Sequence, residues 1–572
     1  MKLRTLKKKV LPIALCTAMA VGLTAGCGSN GDGGSNGGDS ASNGDDPITI
    51  TVFSQLANYS GEQTGWSADI LKEKFNVVLN IIPDLNGTLQ TRMEAGDLGD
   101  IVVFGDNGTD YQNAISAGLL YDWNEDDLLT DYGPYIKENM SHALEHNADY
   151  SGGTTYGFGH AVATSSNDLQ DFFYTWDIRW DLYKELGYPE VNDLEDLVDV
   201  FKQMKEICPT DENGKPTYAA SLWPDWDGDM VMYVKSTATA YYGYDELGIG
   251  LYDPNTGDYY DCLMEDGPYL RCLKFYNQLY QNGLLDPDSM TQTYDEMSPK
   301  VQAGGTFFSI FNYSGYMLYN TDEHLAEGKM MRSLTPKNAS PIVYGMDVLG
   351  GNRLWCIGAK TEYPELCMEI INYLATPEGR MTMEYGPQGV TWDYDADKNT
   401  YLTELGAKCK ADQETSMVDA GYQGTFHDGM LQINNITWAL DAVNPDSNGE
   451  TYNYLNWKSN QTPATCDIDQ DWRDYTGCNT INEYMASGNY TVSPASTFVN
   501  GTKDEEFTTK WTQTTKCITT YSWNAIYAES DEEYDQIVAE MIEQANAYYY
   551  QDCLEWSKEQ AQERYMCELA VR

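Results

Sequence analysis

The sequence predicts an α/β protein built on a parallel sheet covered on both faces, with more than one lobe. Two observations predict it. From Ile48 onward, β-branched runs alternate with helically spaced stretches in the order strand, helix, strand, helix, strand, helix. The roughly 525 residues after position 46 are too many for one simple core and suit two or more lobes.

The elements follow in order. Ile48-Thr49-Ile50-Thr51-Val52-Phe53 reads as the first strand. Trp66, Ile70, Leu71 and Phe75 recur at helical spacing, which makes Trp66 a core residue on an apolar stripe. Val77–Ile82 reads as a second strand, and Leu89–Met93 starts a second helix. Ile101–Phe104 is a third strand, and Tyr111–Ala117 is a helix ended by Gly118. Ligands of such sheets bind beyond the carboxyl ends of the strands. Gln55 follows the first strand and Asp106 the third, so both are candidate polar contacts.

The chain opens with Lys2, Arg4, Lys7, Lys8 and Lys9, then an apolar run from Val10 to Leu23. A basic head and a short apolar stretch make a secretory signal peptide, too short for a membrane span. Leu23-Thr24-Ala25-Gly26-Cys27 resembles the bacterial lipobox. That resemblance implies removal of residues 1–26 and a diacylglycerol thioether on Cys27. Acyl chains hold by burying methylenes, at about 0.8 kcal/mol each. Gly28 to Asp46 is almost entirely Gly, Ser, Asn and Asp, which cannot offset chain entropy by burial. Residues 27–46 therefore read as a flexible tether of roughly 20–25 Å r.m.s. reach. The expected address is the extracellular face of the cytoplasmic membrane, with the lipid as the membrane contact.

Composition narrows the partners. The formal net charge of −53 repels nucleic acid and anionic lipid. It equally serves to keep an exported protein soluble. Tyr (44) and Trp (14) far outnumber Phe (14) taken together, and their rings have an apolar face and a polar edge. Sugars share that split character, so the excess hints at carbohydrate. Beyond Cys16 and Cys27, eleven of the 13 cysteines remain, with no CxxC and no zinc spacing, so no pairing is assigned.

Several segments resemble one family. Glu94-Ala95-Gly96-Asp97-Leu98-Gly99-Asp100-Ile101-Val102 resembles the A-G-D-x-P-D-I segment of extracellular solute-binding proteins of ABC importers, family 1 type, with Gly99 in place of the usual proline. Gly118 to Asp122, Trp176 to Gly187, Asn192 to Leu197, Val301 to Phe308, Pro364 to Gly379 and Tyr385 to Trp392 resemble further family segments in the same order. The last is similar to a loop of the large oligosaccharide-binding subgroup. Coverage runs from residue 48 to about 395, with a looser match to the end. The resemblance implies a two-lobe periplasmic-binding-protein-like fold with a hinge and an interlobe cleft. The implied lobes are 47–165 with 298–345, and 170–295 with 350–572.

Candidate site residues come from residue type and from that resemblance. Trp223-Pro224-Asp225-Trp226-Asp227 is the leading ligand loop, because two indoles around a proline turn do not both bury easily. Trp223 and Trp226 then offer stacking faces and Asp225 a hydroxyl acceptor; hydrophobic anchoring of the loop is the rival reading. Trp392 carries the same pair of readings. Asn312 and Tyr313 follow a strand where the family contacts ligand, and Trp355 follows the second crossing as either ligand contact or core. Arg179 is read as paired with a carboxylate of its own helix. Asp211-Glu212-Asn213-Gly214-Lys215 resembles the start of a calcium loop, but Thr217, Tyr218 and Ala219 follow where acidic ligands are wanted, so it reads as a turn. No metal site or cofactor is therefore expected.

No catalytic constellation appears. His142 and His146 are four apart, but Ala143 stands where the zincin glutamate belongs. The sequence has no P-loop, nucleophile elbow or dinucleotide fingerprint. The expected function is a non-enzymatic, monomeric, lipid-anchored subunit that captures an oligosaccharide and delivers it to an ABC permease. The alternatives are a surface glycoside hydrolase or lyase, and a glycan-capturing lipoprotein without a permease.

Overall fold

The computed structural model describes residues 46–572, apart from 86, 150, 434–438 and 461. The signal peptide, Cys27 and nearly all of the tether lie outside the described residues. The first lobe is built on a six-stranded sheet in the order Gly61–Glu62, Val77–Pro83, Ile48–Ser54, Ile101–Asp106, Asn352–Ile357, Gly157–Gly159. Ile48–Ser54 runs parallel to both Val77–Pro83 and Ile101–Asp106, whereas Asn352–Ile357 is antiparallel to its neighbours. Side-chain alternation explains the double cover. Ile101 and Val103 enter one apolar cluster with Ile50, Val52 and Trp66, while Val102 and Phe104 enter another with Phe53, Leu89 and Tyr111. Trp66 is fully buried, stacks on Phe426 at 5.4 Å and donates its indole N–H to the Phe426 carbonyl.

The second lobe holds a three-stranded antiparallel sheet, Phe308–Phe311, Tyr174–Arg179 and Met331–Ser333, with Tyr174–Arg179 central. The helices Asp196–Ile207, Met232–Tyr242 and Pro268–Gln281 share its core. The long helices Glu505–Ile526, Asp531–Ala547 and Tyr550–Ala570 add a further layer through Trp511, Trp523, Tyr534 and Leu554.

Strand pairing corrects two expected assignments. Residues 298–345 were expected in the first lobe, yet Phe308–Phe311 and Met331–Ser333 pair with Tyr174–Arg179 of the second. Residues from 350 onward were expected in the second lobe, yet Asn352–Ile357 pairs with Ile101–Asp106 of the first. The physical reason is burial on both faces. Leu354 and Cys356 enter one first-lobe cluster, and Trp355 and Ile357 the other, so this strand fits only a sheet covered on both sides. The helix Pro364–Ala375 follows it there, burying Cys367, Ile370, Ile371 and Leu374.

Two crossing segments run side by side between the lobes. Ala163 N–H donates to Asp347, Gln170 N–H to Tyr344 and Met346 N–H to Asp168. A third strand of chain joins them, because Val443 N–H donates to the Asp168 carboxylate at 3.1 Å. Burial pushes that carboxyl above the usual carboxylate range. The eleven described cysteines are all unpaired, and eight are buried.

Candidate ligand-binding site

A cavity of about 480 Å³ lies at the crossing segments, lined by Gln170, Asp171, Phe173, Asn312, Asp347 and Asp441 among others. Gln170 also lines two neighbouring cavities of about 640 and 520 Å³, so all three meet along one stretch of the first crossing. Asp171, Asp347 and Asp441 are acceptors here, and Gln170 and Asn312 add amides that both donate and accept. Burial, and then the charge of Asp441, raise the Asp171 carboxyl, which accepts from Asn482. Asn312 is held in place by its own N–H to Phe173 and its amide to Phe172.

An aromatic platform stands beside this cavity on the second lobe. Trp226 is 50% exposed and stacks on Tyr294 with centroids 5.0 Å apart and planes 25° apart. Tyr313 lies 6.0 Å from Trp226 and 5.4 Å from Phe173, which is itself exposed and lines the cavity. Trp223 is the buried pillar beneath, edge-on to Trp226 at 5.3 Å and packed on Tyr233 and Tyr294. The loop is built by local chemistry. Asp227 N–H closes a turn onto Pro224, and Asp225 accepts from Tyr294 N–H at 3.4 Å. Tyr294 opens the helix Tyr294–Gln302, whose start is fixed by a capping box between Thr293 and Glu296.

The first lobe contributes the edge formed by the carboxyl ends of its parallel strands. Gln55 accepts from Gly105 N–H at 2.9 Å and donates to Asp110 at 2.8 Å, while the exposed Asp106 accepts from Gly108 N–H. This edge meets the second crossing, where Asn107 N–H donates to Gly351.

The expected residues therefore separate. Trp226, Asp225, Tyr313 and Asn312 share the platform and cavity, and Gln55 and Asp106 mark the opposite strand ends. Three expected contacts are corrected by burial. Trp223 is fully buried as described. Trp392 is fully buried and donates its indole N–H to Gly386, within an apolar cluster that includes Tyr385 and Trp457. Trp355 is a fully buried strand residue stacked on His160 at 4.5 Å. Arg179 forms a bidentate pair with Asp181, as read from the sequence. Sequence reasoning missed Tyr294 and Phe173. Phe173 sits in the aromatic run Phe172-Phe173-Tyr174, and Tyr294 follows a cap signature; both signals are visible, but neither says which ring faces out.

The Asp211 loop is a closed turn, its carboxylate accepting from the N–H groups of Asn213 and Lys215. Among the described residues, no group of three or more His, Cys, Asp or Glu is placed to hold a metal ion. Among them, too, no helix is long and apolar enough to cross a membrane.

Two α/β lobes joined by paired crossings, with an open cavity and a rim of exposed rings, define a class of ligand-capturing protein. The profile of the bacterial extracellular solute-binding proteins matches residues 66–391, more than half of the chain, and the protein belongs to that family. Similar solved structures include the N-glycan transport solute-binding protein NgtS of Streptococcus pneumoniae, at 15% identity, with 91% of this chain and 99% of that chain covered and a TM-score of 0.43. An HMO-binding ABC-transporter-associated solute-binding protein of Bifidobacterium longum infantis is 14% identical, over 90% of this chain and 98% of that chain, with a TM-score of 0.44. The S. pneumoniae ABC-transporter substrate-binding protein FusA in complex with kestose is 14% identical, over 90% and 99%, with a TM-score of 0.42. No curated protein matches the sequence.

Proposed function

We propose that this protein is the lipid-anchored, monomeric capture subunit of an ABC importer for oligosaccharides. The observation that carries the reading is the exposed Trp226–Tyr294 stack, extended by Tyr313 and Phe173, at the rim of a cavity lined by carboxylates and amides. Aromatic faces pack on the C–H faces of sugar rings, while Asp171, Asn312, Asp347 and Asp441 accept or donate at hydroxyls. Closure of the lobes about the crossing segments then traps the ligand, and the closed form docks on a membrane permease. No covalent chemistry is required of the protein. Calorimetry of the purified chain against an oligosaccharide panel tests the ligand: binding of some glycan is expected, and a flat panel with peptide binding overturns it. Release of smaller sugars from a bound glycan would instead identify a hydrolase or lyase. Metabolic labelling with palmitate, lost in Cys27→Ala, tests the anchor, and co-purification of two permease subunits tests delivery.

A further inference from the structure

The loop that carries Trp226 is pinned from beneath by one side chain. Asp227 accepts from Met232 N–H at 2.9 Å, the first residue of the helix Met232–Tyr242. Its other oxygen accepts from the Trp523 indole N–H at 2.7 Å, which ties the loop to the helix Glu505–Ile526. Both partners are N–H groups, and neither is able to accept a hydrogen bond. A neutral carboxylic acid keeps one acceptor and turns the other oxygen into a donor. One of the two pins is then lost.

The neighbouring loop gives the contrast. Asp177 accepts from Tyr316 N–H at 2.8 Å and faces the Ser333 hydroxyl at 3.4 Å, holding the turn that presents Tyr313. A serine hydroxyl accepts as readily as it donates, so Asp177 keeps both contacts with or without a proton. Gly315 packs so closely on this carboxyl that a Cβ there would lie 2.3 Å from it.

We propose that Asp227 is a proton-sensitive positioning residue for the ligand platform: charged, it holds the Trp226 loop against two helices, and neutral, it releases one of them. The inference rests on Trp226 being the ligand platform. The titratable groups facing Asp227 are Lys235 on the helix Met232–Tyr242, which favours the carboxylate, Asp225 in the same loop, which disfavours it, and Tyr269 on the helix Pro268–Gln281, which burial keeps neutral. Burial outweighs the donors and pushes the Asp227 carboxyl up to about 6. The switch therefore falls in a mildly acidic range, and ligand capture weakens as the medium acidifies.

The test needs no ligand. The Trp226 signal is read as the near-UV circular dichroism difference between the wild-type chain and Trp226→Phe, from pH 8 to pH 5. Half of it is expected to be lost at a midpoint near pH 6. Asp227→Asn, which mimics the protonated acid, should show the low-pH signal already at pH 8, with an unchanged far-UV spectrum. Asp177→Asn should leave the titration in place. A wild-type signal constant across this range, a titration unchanged in Asp227→Asn, or one abolished by Asp177→Asn overturns the proposal. Where Asp227→Asn does not fold, Trp523→Phe removes one of the two pins at every pH while the neutral acid still accepts from Met232 N–H, so the wild-type titration should disappear; a titration kept at the wild-type midpoint overturns the proposal equally. A flat glycan panel removes the proposed ligand and leaves this titration standing.

Discussion

At the scale of single residues, the two indoles of the Trp223–Trp226 loop have opposite fates. Trp223 is sealed beneath Trp226, Tyr233 and Tyr294, while Trp226 keeps half its surface in water. Trp226→Ala should leave the melting temperature nearly unchanged and weaken glycan affinity. Base–aromatic stacking contributes about 1–3 kcal/mol, which corresponds to roughly 5- to 150-fold in affinity. Trp223→Ala should instead cost about 3–5 kcal/mol of stability, as for other buried aromatic truncations. One paired measurement of melting temperature and affinity separates them, and a large stability loss in Trp226→Ala would remove it from the site. That these residues form one loop beside a turn was legible from the proline and the acidic residues around it. Which indole turns outward was not, because Tyr233, Tyr294 and Tyr313 come from segments distant in sequence. The same holds for Trp355, which stacks on the distant His160, and for Trp392, whose apolar cluster takes in the distant Tyr452 and Trp457.

At the scale of elements, local pattern and pairing disagree in an instructive place. The family segment that Trp176 to Gly187 resembles is a helix, but the structure divides this stretch between the strand Tyr174–Arg179 and the helix Trp180–Glu185. All six residues of Tyr174–Arg179 are buried, and a fully buried strand shows no alternation to distinguish it from a buried helix. The helix Asp467–Thr476 is locked to the neighbouring strand Met331–Ser333 by charge. Asp469 is fully buried and accepts from Arg332 at 2.6 Å, from Arg473 at 3.0 Å and from Thr465 N–H at 2.9 Å. Asp469→Ala leaves two guanidinium groups without their partner and should cost about 3–5 kcal/mol, measured by denaturant unfolding. A loss below 1 kcal/mol would mean that water replaces the carboxylate. The helix that presents Tyr294 depends on its cap: Thr293→Ala should lower stability by about 1 kcal/mol and weaken ligand binding in parallel.

For the whole molecule, the dominant facts are a net charge of −53 and a set of carboxyls buried in the folded state. Burial pushes Asp177 up to about 7 and the half-buried Asp227 to about 6, and raises Asp168 and Glu568. An unfolded aspartate titrates near 3.9, so between roughly pH 4 and pH 7 the folded chain holds protons that the unfolded chain has released. The stability these groups contribute is complete below pH 4 and is lost as pH rises through 6 and 7. Carboxyls held low by partners, such as Glu195 beside Arg271, act oppositely and lose their contribution as pH falls below about 4. The melting temperature should therefore peak in mildly acidic buffer, near pH 5, at constant ionic strength. Asp177→Asn should flatten the fall between pH 5 and pH 8; a profile identical to wild type would show that this carboxyl does not titrate there. The sequence by itself determined the class of the fold, the position of three of the first four strands and of the first three helices, the burial of Trp66 and the Arg179 pairing. Each of these rests on spacing within a few residues, where covalent geometry limits what neighbours can do. Only the tertiary structure decided which sheet takes Phe308–Phe311 and which takes Asn352–Ile357, and which rings reach the surface. Those outcomes depend on pairing between segments far apart in the chain, where several partners satisfy the same local pattern and packing on both faces selects one.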